Sequence, residues 1–237
     1  MKYLEEKNIG FDVGVTKVPI VASAVIFDLN IGDHKIRPDF KMGYDAAKNA
    51  SKSENRQGPI GCGMGATVGK ILGPNSAMKS GLGSATIELG QLKVSAMVSV
   101  NSFGDVYDHK SGKQIAGVYD YKNKRILNTM DILKGQYNTM DMSMKNTTIG
   151  VIATNAILTK AEGNKIAQMA HNGFARSINP IHTMFDGDTI FTMATNKVEA
   201  DISLVGTIAA EAMSQAITNA IINSKGYGGL VSFEDIK

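Results

Sequence analysis

Apolar and polar residues alternate along a stretch in the middle of the chain. Val94, Ala96, Val98 and Val100 alternate with mostly polar neighbours, and Gly90-Gln91 precedes them. This pattern is typical of a β-hairpin, here with strands over 86–89 and 93–100. Asn101 then falls just past the end of the second strand, where a scaffold commonly presents polar functional groups.

Three further apolar runs predict strands. Residues 149–156 are almost continuously apolar, which favours the interior of a sheet. A short strand is predicted over 189–195, and a strand or buried extended segment over the β-branched run 18–29.

Apolar residues recur at helical spacing in 163–178 and, more strongly, in 202–222, and a smaller stripe predicts a helix over 39–53. Residues 1–8 look like the last turns of a helix, and nothing before them supplies a cap, so we expect that an N-terminal segment is lacking. Because strands and helices lie in separate runs, the predicted fold class is α+β. We expect a single catalytic domain over 1–237.

Residues 121–146 show neither a helical nor a strand period and predict an exposed, mobile linker. The linker meets the strand 149–156 at Asn146-Thr147. A threonine here suits a strand simply because it is β-branched. However, a cut before Thr147 would place a hydroxyl and a free α-amine on one residue, and an α-amine with a pKa of about 7.7 to 8.0 is a workable base.

The composition excludes several classes of function. Lys and Arg number 25 against 22 Asp and Glu, tryptophan is absent, and there is no basic run, so nucleic acid is a poor partner. No apolar stretch reaches the roughly 20 residues of a membrane span. A single cysteine, Cys62, rules out an intrachain disulfide framework and fits a reducing, cytoplasmic compartment.

The segment 61–70 superficially suggests a phosphate-binding loop. Met64 stands where that motif needs glycine, Ile71 follows Lys70 instead of Ser or Thr, and no apolar strand precedes the segment as a dinucleotide site requires. The plain interpretation is close backbone packing with a solvated Lys70. Cys62 is either a nucleophile that works with a histidine or a small residue in a glycine loop.

Asp186-Gly187-Asp188 is, taken alone, a turn before a strand. A metal site is poorly supported, since His171 and His182 are too far apart in sequence to share a helical face. The alternating residues Met140, Met142 and Met144 fit a linker better than a soft-metal site. We therefore expect neither metal nor cofactor.

Several of these segments, in order, resemble one family over nearly the whole chain. The family is that of the self-processing aminopeptidases typified by L-aminopeptidase/D-esterase, which includes β-peptidyl aminopeptidases and nylon-oligomer hydrolases. The matching segments are 18–21, 24–29, 63–70, 100–106, 146–156 and 182–189.

The resemblance implies a four-layer α/β/β/α sandwich whose precursor is cut between Asn146 and Thr147 into two chains that stay together and assemble into homo-oligomers. It implies the catalytic residues Thr147 as nucleophile, Asn101 as the oxyanion-stabilising amide, Lys70 as a matching lysine, and Asp186 and Asp188 as an acidic pair. The implied substrate is a small peptide or amide, with no nucleic acid or membrane partner.

Two differences from the family stand out. Phe27 replaces a tyrosine that many relatives have, and relatives carry a substantial segment before the position of Met1. Two alternatives therefore stay open beside the hydrolase: an acyltransferase of the ornithine acetyltransferase type, and an uncleaved, inactive, truncated paralogue.

Overall fold

The computed structural model describes residues 1–53, 55–135 and 146–237. The chain divides into two compact units, one made of Met1–Val25 and Asp33–Asn55 and the other of Ile26–Gly32 and Arg56–Lys237. Each is described by itself. Among the described residues, no helix combines the length and the apolar character that a bilayer span requires.

The first unit holds two short helices and a two-stranded ribbon. They are α1 (Lys2–Glu6), β1 (Phe11–Asp12), β2 (Lys17–Val18) and α2 (Phe40–Lys48). The side chain of Asp39 accepts a hydrogen bond from Met42 N and so caps α2. The helix predicted over 39–53 is therefore confirmed, although it ends five residues earlier.

The second unit contains the remaining elements. The strands are β3 (Thr67–Val68), β4 (Met78–Lys79), β5 (Leu82–Leu89), β6 (Leu92–Ser99), β7 (Asp105–Tyr107), β8 (Gln114–Ala116), β9 (Val118–Asp120), β10 (Arg125–Leu127), β11 (Ile149–Ala156), β12 (Ile178–Asn179) and β13 (Thr189–Val198). The helices are α3 (Thr129–Gly135), α4 (Lys160–Ser177) and α5 (Ile202–Ile222).

A four-stranded sheet in the order β13-β11-β6-β5 organises this unit. β11 runs parallel to β13 and antiparallel to β6, and β5 and β6 form the predicted hairpin. Ile149, the first residue of β11, pairs with Ser99 at the end of β6 and with Thr189 at the start of β13. This register brings the loops that hold Asn101, Thr147 and Asp188 together at the same end of these three strands.

Helices α4 and α5 pack on one face of the sheet and form its core. Their buried side chains include Ile166, Phe174, Val205, Met213 and Ile217. A capping box between Thr159 and Glu162 begins α4, which matches its sequence. The observed bounds of β11 and α5 agree with the predicted 149–156 and 202–222.

The strand or buried segment predicted over 18–29 is wrong beyond Val18. Residues 19–28 have no regular secondary structure, and Ile20 and Val25 are exposed. β-branched residues favour an extended backbone, but a strand also needs a neighbour that completes its hydrogen bonds. None of the described strands pairs with these residues.

The linker predicted over 121–146 is partly regular. β9 and β10 pair as a hairpin, and α3 follows, with the buried Asp105 carboxylate accepting from both Thr129 N and Thr129 Oγ1. Hydrogen bonds from side chains to the backbone help to form such short elements. They require no regular spacing of apolar residues, so the sequence carries no periodic signal for them. Residues 136–145, which include Met140, Met142 and Met144, lie outside the described residues.

Candidate active site

The backbone of Asn146 and Thr147 is fastened between two loops. Asn146 N donates to Phe185 O at 2.7 Å, Gly187 N donates to Asn146 O at 2.8 Å, and Thr147 N donates to Asn101 O at 3.0 Å. The Asn146-Thr147 peptide bond therefore lies between the loop after β6 and the Asp186-Gly187-Asp188 loop before β13. This is the junction at which the sequence predicts a cut.

The Thr147 hydroxyl faces the carbonyl group of the preceding residue. Its Oγ1 donates to Asn146 O at 2.5 Å. The carbonyl oxygen of Asn146 thus receives two hydrogen bonds, one from this hydroxyl and one from the Gly187 N–H. Both donors polarise the carbonyl group, and the Gly187 N–H would also stabilise negative charge that develops on its oxygen.

Asn101 connects the predicted residues. It is fully buried, and its Oδ1 accepts from Lys70 Nζ at 2.6 Å and from Thr67 N at 3.2 Å. Its Nδ2 donates to Phe27 O at 3.2 Å. An amide NH₂ carries two hydrogens, and the described residues supply an acceptor for one of them, so one donor position of Asn101 remains.

Lys70 is buried, with only 5% of its surface exposed, so its interpretation as a solvated lysine is wrong. Its ammonium group donates to the side-chain oxygen of Asn101. Burial lowers the pKa of Lys70 to about 7, although the carboxylates of Asp186 and Asp28 act in the opposite direction. A lysine that titrates near neutrality is suited to proton chemistry.

Two charged residues near Lys70 were missed in the sequence. Lys79 is fully buried, and burial lowers its pKa to about 8. The negative charge of Asp28 raises the pKa of both lysines and so acts against the effect of burial. The Asp28 carboxylate also occupies the space that a side chain at position 65 would need, which explains why Gly65 has none. Asp28 and Gly65 belong to segments that carry the family resemblance, which was the one available signal for them.

The two aspartates hold different parts of the backbone. Asp186 Oδ1 accepts from Phe103 N at 3.3 Å, and its Oδ2 accepts from Thr183 N and Thr183 Oγ1 at 3.1 and 2.6 Å. Asp188 Oδ1 accepts from Thr148 N at 2.8 Å. The Asp-Gly-Asp turn is therefore a connector between the loop after β6 and the start of β11.

His182 is the third residue that sequence reasoning missed. Its Nδ1 lies 2.8 Å from Asp188 Oδ2, and its Nε2 lies 3.1 Å from Nδ1 of His171 on α4. As expected, His171 and His182 do not share a helical face, since His182 lies in the loop after α4, but this loop folds back so that the two rings are in contact. Within the described parts of the chain, no group of three or more His, Cys, Asp or Glu could hold a metal ion.

The structure brings all five predicted residues together. Lys70, Asn101 and Thr147 form one hydrogen-bonded chain, and Asp186 and Asp188 hold the loops on either side of it. Cys62 is exposed in a turn, where its carbonyl oxygen accepts from Ser99 Oγ.

Solved structures share this fold. The chain matches the L-aminopeptidase D-Ala-esterase/amidase of Ochrobactrum anthropi, described as a variant of the Ntn hydrolase fold, with a TM-score of 0.54 and 19% identity over 79% of this chain and 50% of that one. It matches the PH0078 protein of Pyrococcus horikoshii with a TM-score of 0.53 and 22% identity over 81% of this chain and 52% of that one. The predicted fold class is confirmed, and this chain spans about half the length of these structures.

Curated relatives are more similar in sequence. A Mycobacterium leprae protein named as an uncharacterized aminopeptidase is 34% identical over 98% of this chain and 69% of its own length. A 6-aminohexanoate-oligomer endohydrolase of a Kocuria species is 28% identical over 90% of this chain and 64% of its own length.

A family model described as peptidase family S58 matches residues 1–232. This match covers nearly all of the chain and includes every one of the five site residues. The chain therefore belongs to peptidase family S58.

Proposed function

We propose that this chain is a self-processing amide hydrolase. It cuts its own Asn146-Thr147 bond and then uses Thr147 as an N-terminal nucleophile on small peptides or related amides. The family match and the names of the relatives support hydrolysis over the acyltransferase alternative. The finer assignment to Thr147 is supported by the geometry around one carbonyl group.

The observation that carries the proposal is the pair of donors on Asn146 O. The Gly187 N–H already points at this oxygen, and the Thr147 hydroxyl, the proposed nucleophile, contacts the same carbonyl group. Oxyanion stabilisation needs donors placed before the reaction begins. A backbone amide held by the surrounding Asp186 and Asp188 contacts meets that need.

Self-processing then follows as an N-to-O acyl shift. Thr147 Oγ1 loses its proton and attacks the Asn146 carbonyl carbon, and the negative charge develops on Asn146 O. The C–N bond breaks, the Thr147 nitrogen takes up a proton, and an ester links Asn146 to Thr147 Oγ1. Water hydrolyses this ester to leave the Asn146 carboxylate, the Thr147 hydroxyl and a free Thr147 α-amine.

Lys70 would act on the new amine through Asn101. Lys70 Nζ contacts both the side-chain oxygen and, at 3.5 Å, the backbone carbonyl oxygen of Asn101, and that carbonyl also accepts from Thr147 N. A positive charge two contacts from the α-amine lowers its affinity for a proton. The remaining hydrogen on Asn101 Nδ2 is the proposed donor to a substrate oxyanion.

The aspartates are better suited to orienting the backbone than to holding a substrate ammonium group. Both carboxyl oxygens of Asp186 and of Asp188 already accept hydrogen bonds from the protein. The side chain of Asp188 is only 2% exposed. We therefore assign the two aspartates to positioning Asn146, Thr147 and Thr148.

Denaturing mass spectrometry tests self-processing directly. The parent chain should yield fragments 1–146 and 147–237, whereas Thr147→Ala should stay intact and Thr147→Ser, which keeps a hydroxyl, should still be cut. Thr148→Val is the matched control because Thr148 Oγ1 has no hydrogen-bond partner among the described residues and the variant keeps its shape. An intact parent chain after long incubation would sink the proposal.

The substrate assay uses the processed protein with aminoacyl amides and 6-aminohexanoate oligomers. Hydrolysis that disappears in Thr147→Ala is the expected result. Assembly of processed two-chain units into homo-oligomers and a cytoplasmic location also belong to the proposal. Size-exclusion chromatography with light scattering and cell fractionation test these two points.

A further inference from the structure

A chain of three ionisable side chains leads away from the start of β11. Asp188 contacts Thr148 N through Oδ1 and His182 through Oδ2, and His182 contacts His171 on α4. The first member is buried and the second is 39% exposed at its side chain. The chain therefore runs from the residue next to Thr147 towards solvent.

The direction of the hydrogen bonds follows from the chemistry of the groups. An ionised carboxylate only accepts, so His182 Nδ1 must carry the hydrogen that faces Asp188. His182 Nε2 then accepts from His171 Nδ1–H, or donates to it when the His182 ring is protonated. Both arrangements keep the donor to Asp188 in place.

The ring of His182 is held by packing as well. Phe174 lies 5.3 Å from the His171 ring and 5.9 Å from the His182 ring, between centroids. The backbone of His182 has a φ of 56°, in the left-handed region that is unfavourable for a non-glycine residue. The ring of His182 is therefore fixed by a contact at each nitrogen and by Phe174, so its hydrogen bond to Asp188 has a defined geometry.

We propose that His182, supported by His171, is a positioning residue of the S58 site that keeps Asp188 ionised and hydrogen-bonded to the Thr148 N–H. The contact of Asp188 with the Thr148 N–H keeps the Asn146-Thr147 peptide in place, so that the Gly187 N–H continues to donate to Asn146 O. The consequence for reaction rate depends on the proposed function, whereas the contact itself does not.

The groups that face Asp188 set the sign of the expected effect. Burial raises the pKa of Asp188, the neutral Thr148 N–H of β11 lowers it, Asp186 on the same loop raises it, and the His182 hydrogen bond and charge lower it. His171 of α4 lies behind His182. Removal of His182 therefore shifts the titration of Asp188 to higher pH.

The decisive experiment follows the carboxyl ¹³C signal of Asp188 against pH in full-length, uncut Thr147→Ala chains. The midpoint should move to higher pH with His182→Ala and move less with His182→Asn, whose amide can still donate. His109→Asn is the matched control because the His109 ring contacts Glu211 on α5 instead of this loop. An unchanged midpoint in His182→Ala overturns the proposal, and amide spectra confirm that each variant is folded.

Chains that retain Thr147 give the second readout. His182→Ala should slow self-cutting about tenfold and move the acid limb of its pH profile to higher pH, because a hydrogen bond to a charged group is lost. His182→Asn should restore part of the rate. A uniformly lower rate with an unmoved acid limb would mean a merely structural role and would overturn the proposal.

The two proposals fail separately. If the parent chain neither cuts itself nor hydrolyses amides, the proposed function is wrong. The Asp188 titration then still decides whether His182 controls Asp188. If the parent is active and the titration does not move, only the role of His182 is wrong.

Discussion

Lys70 and Lys79 lie at the two ends of one short segment, and both are buried, yet their surroundings differ. Lys79 Nζ donates to three backbone carbonyl oxygens, those of Gly63, Ala66 and Ser80, at 2.7 to 3.1 Å. Within the described part of the chain, Lys70 Nζ makes one close contact, to the side chain of Asn101, and a longer one to its backbone. A lysine with three donors in use supports the fold, whereas Lys70, which is linked to Thr147 through Asn101, has donor capacity left for chemistry.

The two lysines should differ most in their contribution to stability. Methionine keeps the apolar stem volume, so Lys79→Met chiefly removes three hydrogen bonds and should lower the free energy of unfolding by about 3 kcal/mol, whereas Lys70→Met should lower it by about 1 kcal/mol. Urea unfolding measures both values. Equal losses would erase the distinction between a structural and a functional lysine.

Glycines in the two neighbourhoods provide a second, smaller contrast. A Cβ at Gly63, beside the Lys79 pocket, would lie 2.8 Å from Gly58 O and closer still to Leu82 N, so Gly63→Ala should cost about 2 kcal/mol of stability. A Cβ at Gly187 would lie 3.1 Å from Thr147 Oγ1, and its next neighbours, Asn146 O and Thr147 Cγ2, would be at an ordinary 3.8 Å.

Gly187→Ala should therefore leave stability within about 0.5 kcal/mol and slow self-cutting about tenfold, since it displaces the reacting hydroxyl. Unfolding curves and time-resolved mass spectrometry of the cut fragments separate the two effects. A Gly187→Ala chain that unfolds early but cuts at the parental rate would contradict this contrast.

The two lysines should also differ in the pH dependence of stability. The pKa of each lysine in the folded state lies below the ordinary 10.5. At any pH between the folded-state pKa and 10.5, the unfolded chain therefore binds more protons than the folded chain, and the free energy of unfolding rises with pH. The difference between the parent and Lys70→Met should rise from about pH 7, and that between the parent and Lys79→Met from about pH 8. A difference for Lys70→Met that stays flat from pH 7 to 9 would refute the burial effect.

Elements with a strong local period were predictable. α5 and β11 were found with the predicted bounds, and in the predicted hairpin β5 begins four residues earlier and β6 is displaced by one residue. In each, the side-chain pattern within the element itself specifies which face is buried. The run 18–29 and the segment 121–135 were misjudged because their structure depends on partner strands or on single side chains such as Asp105.

The candidate site divides in the same way. Thr147, Asn101, Lys70, Asp186 and Asp188 were named from motifs, and the structure brings them together, but His182, Asp28 and Lys79 were not found. Their importance comes from what they face, and a sequence shows a residue without its distant neighbours. His171 and His182 are the clearest case, since only the packing of α4 against the loop before β13 places their rings in contact.

By itself, the sequence determined the fold class, the main helices and strands, and the junction at Asn146 and Thr147, because these follow from short-range periodicity and from ordered motifs. Only the tertiary structure decided the register that pairs Ile149 with Ser99 and Thr189, and with it the approach of Gly187 N to Asn146 O. It also decided the burial of Lys70. The physical reason is that hydrogen-bond register and desolvation depend on groups far apart in the chain, which only packing brings into contact.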